Sequence, residues 1–207
     1  MSTTQTVPTH AAVLELKSEQ IVVTEAYDFL DEKRLLLAAE LLRQLAAYEH
    51  LLQDLEILRQ QALSAVAHAV AQHGLQGLSV YPAAAIKTAR FDTETRNFMG
   101  VVLADTRLQL PDDSATVAAA CPSSEARACQ LVFRQMLEVS SQLAGLSGNL
   151  HRLLVEYRLT ERRARALENV ILPEIEQMLG VMTTHLEELE FEDAVRVRVR
   201  SKSVSSA

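Results

Sequence analysis

Side chains able to carry chemistry are present in this chain, but their spacing keeps them apart. His68 and His73 are the closest histidine pair. Five residues on a helix turn two side chains to different faces, so the pair does not converge on a metal. No His-Glu-x-x-His run and no Gly-x-x-x-x-Gly-Lys phosphate loop occurs, and the 6 Gly are scattered. Cys121 and Cys129 stand eight apart with Pro122 between them, which fits buried or idle thiols better than a redox pair. The 6 His and 2 Cys are too dispersed to nominate a nucleophile with its base. No catalytic residue, cofactor site or metal site is therefore expected, and the chain by itself is not expected to be an enzyme. The densest group is cationic: Arg162, Arg163 and Arg165, flanked by Glu161 and Glu168. Guanidinium groups suit the acidic side chains and helix C-termini of a partner. The competing reading is a solvated face on which Glu161 and Glu168 are the local partners.

The elements that must position these residues are helical. From about residue 11 to 72 there is no Gly or Pro, and apolar residues return in steps of three and four: Leu37, Leu41, Leu45, Tyr48, Leu52, Leu55, Leu58. Thr9, after Pro8, is a capping residue for the start, and Gly74 and Gly77 are stop signals. At 1.5 Å per residue such a segment is roughly 90 Å long. A second stripe runs from about residue 124 to 195, through Val139, Leu143, Leu146, Leu150, Leu153, Tyr157, Thr160, Ala164, Leu167, Ile171 and Ile175. Its length is on the order of 105 Å. Two such helices joined by a compact middle fold back most simply as an antiparallel pair.

The expected fold is all-α, a long antiparallel two-helix coiled coil. Its parts are an N-terminal helix at 10–73, a middle region at 74–123 with a β-hairpin at about 86–110 and short helices, a C-terminal helix at 124–196, and a flexible basic tail at 197–207. The hairpin rests on a β-prone run at residues 97–103, and it packs either on the coiled coil or on a partner, since a lone hairpin is marginal in water. Gly145 and Gly148 lie inside the second helix, where each costs about 1 kcal/mol against Ala. Either they allow close approach to the small residues Ala62, Ala65 and Ala69, or they mark a bend. Pro173 removes a backbone hydrogen bond within the same helix and either kinks it or is tolerated there. Arg196 and Arg198 belong to a basic, alternating run that either continues the helix into a partner or frays.

Composition agrees. Of 207 residues, 32 are Leu and 28 Ala, with 5 Pro, 9 aromatics and no Trp. That excludes an all-β sandwich or barrel and disfavours a wide aromatic core. The formal net charge of −7 argues against a broad nucleic-acid face. No uncharged apolar stretch reaches 18 residues and the first residues carry no signal-peptide pattern, so no membrane insertion and a reduced, cytoplasmic setting are expected.

Residues 161–176, Glu-Arg-Arg-Ala-Arg-Ala-Leu-Glu-Asn-Val-Ile-Leu-Pro-Glu-Ile-Glu, resemble a signature of the D subunits of V-type and A-type rotary ATPases. Members of that family typically carry an Arg-Arg-Val-Asn-Ala-Leu-Glu run followed by Val-Ile-Pro. The acidic stretch at 186–193, the Leu-Asp-Glu-Lys-Arg at 30–34 and the Asn-Phe-Met-Gly-Val at 97–101 are similar to further family blocks, in the same order. Ala164 and Arg165 stand where the family usually has Val and Asn, His10 stands where it often has Arg, and the aromatics usual after Glu192 are missing. The resemblance implies a central-stalk rotor that couples ATP hydrolysis or synthesis in a catalytic head to rotation of a membrane ring. It implies as partners the catalytic and non-catalytic head subunits, a small companion subunit, and a funnel-shaped subunit on the ring; the chain itself is then peripheral to the membrane, as part of a membrane-bound complex. Arg162, Arg163, Arg165, Glu168, Asn169, Pro173, Arg196 and Arg198 are then candidate contacts to the head. Asn97, Met99, Gly100 and Val101 are candidates for contact with the companion subunit or for regulation of hydrolysis. The alternative is a structural coiled-coil adaptor unrelated to ATPases, for which heptads and acidic charge alone would suffice.

Overall fold

The computed structural model describes residues 9–79, 81, 89–110 and 123–205, with the backbone alone at 201–205. Pro8, the start of the expected hairpin at 86, Cys121, Pro122 and the stretches expected to hold short middle helices lie outside the described residues. Helix α1 spans His10–Ser79, strands β1 and β2 span Arg90–Phe98 and Val101–Gln109, and helix α2 spans Ser124–Ala166. A π-helical turn at Leu167–Ile171 leads into α3, Leu172–Ser205. The start of α1 is capped by Thr9, whose Oγ1 accepts the Ala12 N–H at 3.2 Å. Gly74 takes φ 67° and ψ 164°, so the helix breaks where glycine permits it and then resumes to Ser79. Ser123 caps α2, its Oγ accepting the Ala126 N–H at 3.3 Å.

The described chain forms two compact units, one of residues up to Leu35 with those from Arg158 onward, the other of Leu36–Tyr157. In the second unit α1 and α2 run antiparallel. Leu37 and Leu153 are both fully buried in one cluster, whereas His73 Nε2 lies 2.6 Å from Ser123 Oγ, so ascending residues of α1 meet descending residues of α2. The hairpin completes this cluster through Val101 and Leu103, with Phe98, Leu41 and Tyr157 around them. Its register is unbroken from Arg90↔Gln109 to Phe98↔Val101. The two-residue turn has Met99 at φ 50° and Gly100 at φ 86°, both left-handed as the twist of such a hairpin requires. Asn97 Oδ1 accepts the Gly100 N–H at 3.1 Å and closes it.

Gly145 and Gly148 do not meet the small residues of α1. A Cβ on Gly145 would stand 3.0 Å from Thr106 Oγ1, 3.1 Å from Thr106 Cβ and 3.4 Å from its backbone nitrogen; one on Gly148 would meet only the Arg152 guanidinium, at 3.7 Å. The close approach that needs a glycine is therefore between α2 and strand β2.

In the first unit Val13, Thr160, Ala164 and Ile175 are buried, and His10 Nε2 lies 3.3 Å from Glu190 between two exposed side chains. Pro173 acts through the turn before it. Its ring has no N–H and crowds the carbonyl four residues back, and the helix widens ahead of it into the π turn. Leu172 N–H bonds the Leu167 carbonyl, and the Asn169 side chain donates to the Arg165 carbonyl at 3.1 Å. The basic run expected as a loose tail is helical as far as Ser205. No Gly or Pro follows Gly180, and Arg196 reaches back to Glu192 at 3.3 Å and Asp193 at 3.5 Å, pairs that support an exposed helix.

The contact at Gly145 opposes a substitution that helix propensity favours. Gly145→Ala gains about 1 kcal/mol of helix propensity but presses on Thr106, for a net loss of about 1 kcal/mol. In a Thr106→Gly background the obstruction is gone and the same change stabilises by about 1 kcal/mol. Urea unfolding of the four chains measures both, and a destabilising Gly145→Ala in both backgrounds contradicts the contact.

Candidate partner-binding sites

Two regions present the residues singled out in the sequence. The first is the hairpin with the helices that hold it. Helix α1 contributes Glu40, a carboxylate only 8% exposed on the buried side of the helix. Three donors converge on it. Arg43 donates from Nε to Oε2 at 2.8 Å and from its terminal nitrogen to Oε1 at 2.7 Å, a bidentate pair one helical turn away. Gln44 Nε2 donates to Oε1 at 2.8 Å, and Arg96 of β1 donates to the same oxygen at 2.5 Å. These donors, the Arg43 guanidinium first, overcome the burial that would raise its pKa and hold Glu40 at about 2, below the ordinary 4.5. Glu40 in turn raises the Arg43 pKa.

Helix α2 holds the other strand. Asn149 is fully buried; its Oδ1 accepts the Ala104 N–H at 2.8 Å and its Nδ2 donates to the Ala104 carbonyl at 3.0 Å. One amide side chain thus does for β2 what a third strand would do. Arg152 donates to the same Oδ1 at 2.7 Å and keeps the amide oriented. Arg134 donates to the Leu110 carbonyl at 3.0 Å just past the strand.

This arrangement sorts the hairpin candidates. Asn97 is spent on its own turn, while Met99 and Gly100 stand exposed at the tip. Val101 is 6% exposed and packs in the chain's own core with Leu37, Leu103 and Leu153, so it is unavailable to a partner. Strand alternation explains it: Val101 shares the inward face with Leu103. The hairpin packs on its own helices, which was one of the two arrangements open from the sequence.

The second region lies in the other unit. Arg162, Arg163, Arg165, Glu168, Asn169 and Pro173 are all exposed or partly exposed, on the last turns of α2, the π turn and the first turn of α3. Arg165 is paired with Glu161 at 2.6 Å, and Asn169 is engaged with the backbone. Arg162 and Arg163 make no hydrogen bond or ion pair with another described residue. The local acid therefore takes the third arginine and leaves the first two facing outward. Arg196 is held by Glu192 and Asp193, and Arg198 also interacts within the chain. Sequence reasoning did not single out Glu40, Arg96 and Asn149. A signal existed: Glu40 and Gln44 share the face of Leu37 and Leu41, and Asn149 stands between Leu146, Leu150 and Leu153, all polar residues on an apolar stripe.

The family model that describes the D subunit of ATP synthase matches residues 12–202. The chain belongs to the ATP synthase D-subunit family. It is similar to the V-type ATP synthase D subunit of Thermotoga neapolitana, 23% identical over 198 residues that cover 96% of this chain and 98% of that protein. The A-type ATP synthase D subunit of Pyrococcus horikoshii is 26% identical over 203 residues, 97% of this chain and 94% of its own length. A shorter match, 35% identical over 74 residues, links 36% of this chain to 28% of the V-type proton ATPase D subunit of Arabidopsis thaliana. Family membership makes this chain a component of an ATP synthase complex, with partners inside that complex. It does not favour an unrelated adaptor. Among the described residues no helix is long and apolar enough to cross a membrane.

The Glu40 cluster sets an acid limit. Because its pKa is lowered on folding, its contribution is complete above pH 4.5 and is lost as pH falls toward 2. The full shift corresponds to about 3 kcal/mol, and the solvent-exposed guanidinium groups reduce that to about 1–2 kcal/mol. Unfolding free energy followed by circular dichroism is expected to decline from pH 4.5 to 2 more steeply in the parent chain than in Glu40→Gln, which also starts lower at pH 7. Parallel curves for the two chains would remove Glu40 from the acid response.

Proposed function

We propose that this protein is the central-stalk rotor shaft of a V/A-type rotary ATPase, coupling ATP hydrolysis or synthesis in the catalytic head to rotation of the membrane ring. The match of residues 12–202 to the D-subunit family carries this reading. The described chain supports it in two ways. A shaft needs stiffness, and within the hairpin unit the long helices α1 and α2 pack antiparallel. Large apolar side chains lie open to solvent in both units, Phe191 at 72% and Leu42 at 68%, as on a surface that partners enclose. Its role is mechanical and non-catalytic: an asymmetric rotor favours a different conformation at each nucleotide site, and turning it redistributes those preferences.

In this reading the unit that holds both ends of the described chain enters the head. Arg162 and Arg163 meet acidic groups or helix C-termini there, with Arg165, Glu168, Asn169 and Pro173 shaping the same surface and Arg196 and Arg198 following on α3. The hairpin unit faces the small companion subunit and the funnel-shaped subunit of the ring, with Asn97, Met99 and Gly100 at the hairpin tip. The chain itself is cytoplasmic and peripheral to the membrane, as part of a membrane-bound complex.

The test is charge reversal in the assembled motor. Arg162→Glu with Arg163→Glu is expected to leave the helical circular dichroism unchanged and to cut ATP-driven rotation and head retention at least tenfold, since two charge-assisted contacts become repulsive. Wild-type rotation and assembly in the doubly reversed chain would remove the two arginines from the interface. Recovery of the tagged chain from a native membrane extract without any ATPase head subunit would overturn the rotor reading itself.

A further inference from the structure

The two-residue turn decides which edge of the hairpin is open. In such a turn the flanking residues, Phe98 and Val101, exchange hydrogen bonds, so Arg96, Glu94 and Asp92 also bond across the hairpin. Asn97, Thr95, Thr93 and Phe91 must then turn their N–H and C=O groups away from β2. The other strand confirms the phase. Ala104, directly opposite Thr95, has its N–H and C=O turned outward, and both are bonded by Asn149.

The two edges are treated differently. The outer edge of β2 is covered by α2, with Asn149 on Ala104 and Gly145 against Thr106. Along the outer edge of β1 the described sheet has no further strand, and eight of its nine residues are exposed. This edge is unbulged and free of Pro and Lys, so its protection against pairing with another chain rests on its charged side chains, Arg90, Asp92, Glu94 and Arg96. One of its four charges lacks a partner among the described residues. Glu94 lies opposite Asp105, a repulsive cross-strand pair; Asp105 lies within electrostatic reach of Arg43, Arg96 is committed to Glu40, and Glu94 has no cationic partner among the described residues. On the other face of the strand Phe91 is 68% exposed.

We propose that the outer edge of β1 binds an extended segment of another protein component of the ATP synthase complex. That segment adds a third strand, sets a basic residue beside Glu94 on one face, and sets an apolar residue over Phe91 on the other. The inference rests on the reading of this chain as a working stalk component.

Residue-resolved hydrogen exchange on the free full-length chain and on the purified assembled complex tests it. The amides of Phe91, Thr93, Thr95 and Asn97 are expected to exchange freely in the free chain and at least tenfold more slowly in the complex, while those of Glu94 and Arg96 are protected in both. Thr93→Pro with Thr95→Pro removes two outward N–H groups but none of the bonds to β2. It should restore fast exchange at Phe91 and Asn97 in the complex, each lost bond weakening the contact up to about tenfold. Thr93→Ala with Thr95→Ala keeps those N–H groups and should behave as the parent, and Glu94→Lys should weaken the protection. If the chain is incorporated into the complex and the four outward amides exchange as fast there as in the free chain, the strand addition is wrong. Concentration-dependent protection in the free chain would assign the edge to a second copy instead and overturn the proposal. A chain that does not enter the complex defeats the rotor reading and this inference with it.

Discussion

One buried amide organises the hairpin unit. Asn149 bonds both main-chain groups of Ala104, and that choice has geometric consequences in every direction. It brings β2 so close to α2 that a Cβ at position 145 would press on Thr106. It turns the inward residues Val101 and Leu103 onto Leu37 and Leu153. It also brings Arg96 on β1 to the Glu40 carboxylate of α1. A helix pair buries only a narrow stripe, so a small sheet cannot rely on apolar area alone to stay attached. Here four apolar side chains are combined with directional bonds to a buried amide and a buried carboxylate. Such polar contacts cost more when broken than they contribute when made, and so they specify one docking position.

Buried polar groups in the same unit are not all satisfied. Gln44 Oε1 and Ser141 Oγ have no partner among the described residues, in contrast to Glu40 and Asn149. The ion pairs on the outside are mostly helix neighbours three or four residues apart, such as Glu56 with Arg59 and Glu161 with Arg165. These contribute little to stability, but each removes a charge from the set available to a partner. That is why Arg162 and Arg163 differ from Arg165 although the three stand in one short run.

Much of the fold was legible in the sequence, for a plain reason. Long helices write their packing into a three-to-four spacing of Leu and Ala, and the hairpin announces itself by Asn97 and Gly100 around a two-residue turn. Thr9, Gly74 and Pro173 each acted where their chemistry demands. Tertiary proximity was not legible. Gly145 reads either as a close approach to the small residues of α1 or as a bend, and only the docked strand shows what the glycine admits. Val101 reads as a tip residue, yet strand alternation turns it inward. Glu40 and Asn149 look like interruptions in apolar stripes until their partners, 56 and 45 residues away, are known. At residues 197–205, where the sequence leaves continuation and fraying both open because chain ends are usually loose, the absence of any helix breaker after Gly180 lets the helix continue.

The π turn before Pro173 has a consequence for numbering along the helix. In helical terms such a turn is one residue too many, and it sets back the azimuth of everything beyond it by about 100° relative to an unbroken α-helix. The buried positions Thr160 and Ala164 are followed by Ile175, eleven residues on; an unbroken α-helix would return that position to within about 20° of Ala164, and the π turn displaces it by about 100° from there. The facing direction of α3, including Arg196, is therefore set at residues 167–171. Along this stretch the length of the chain, counted to the single residue, carries as much information about orientation as the side chains do.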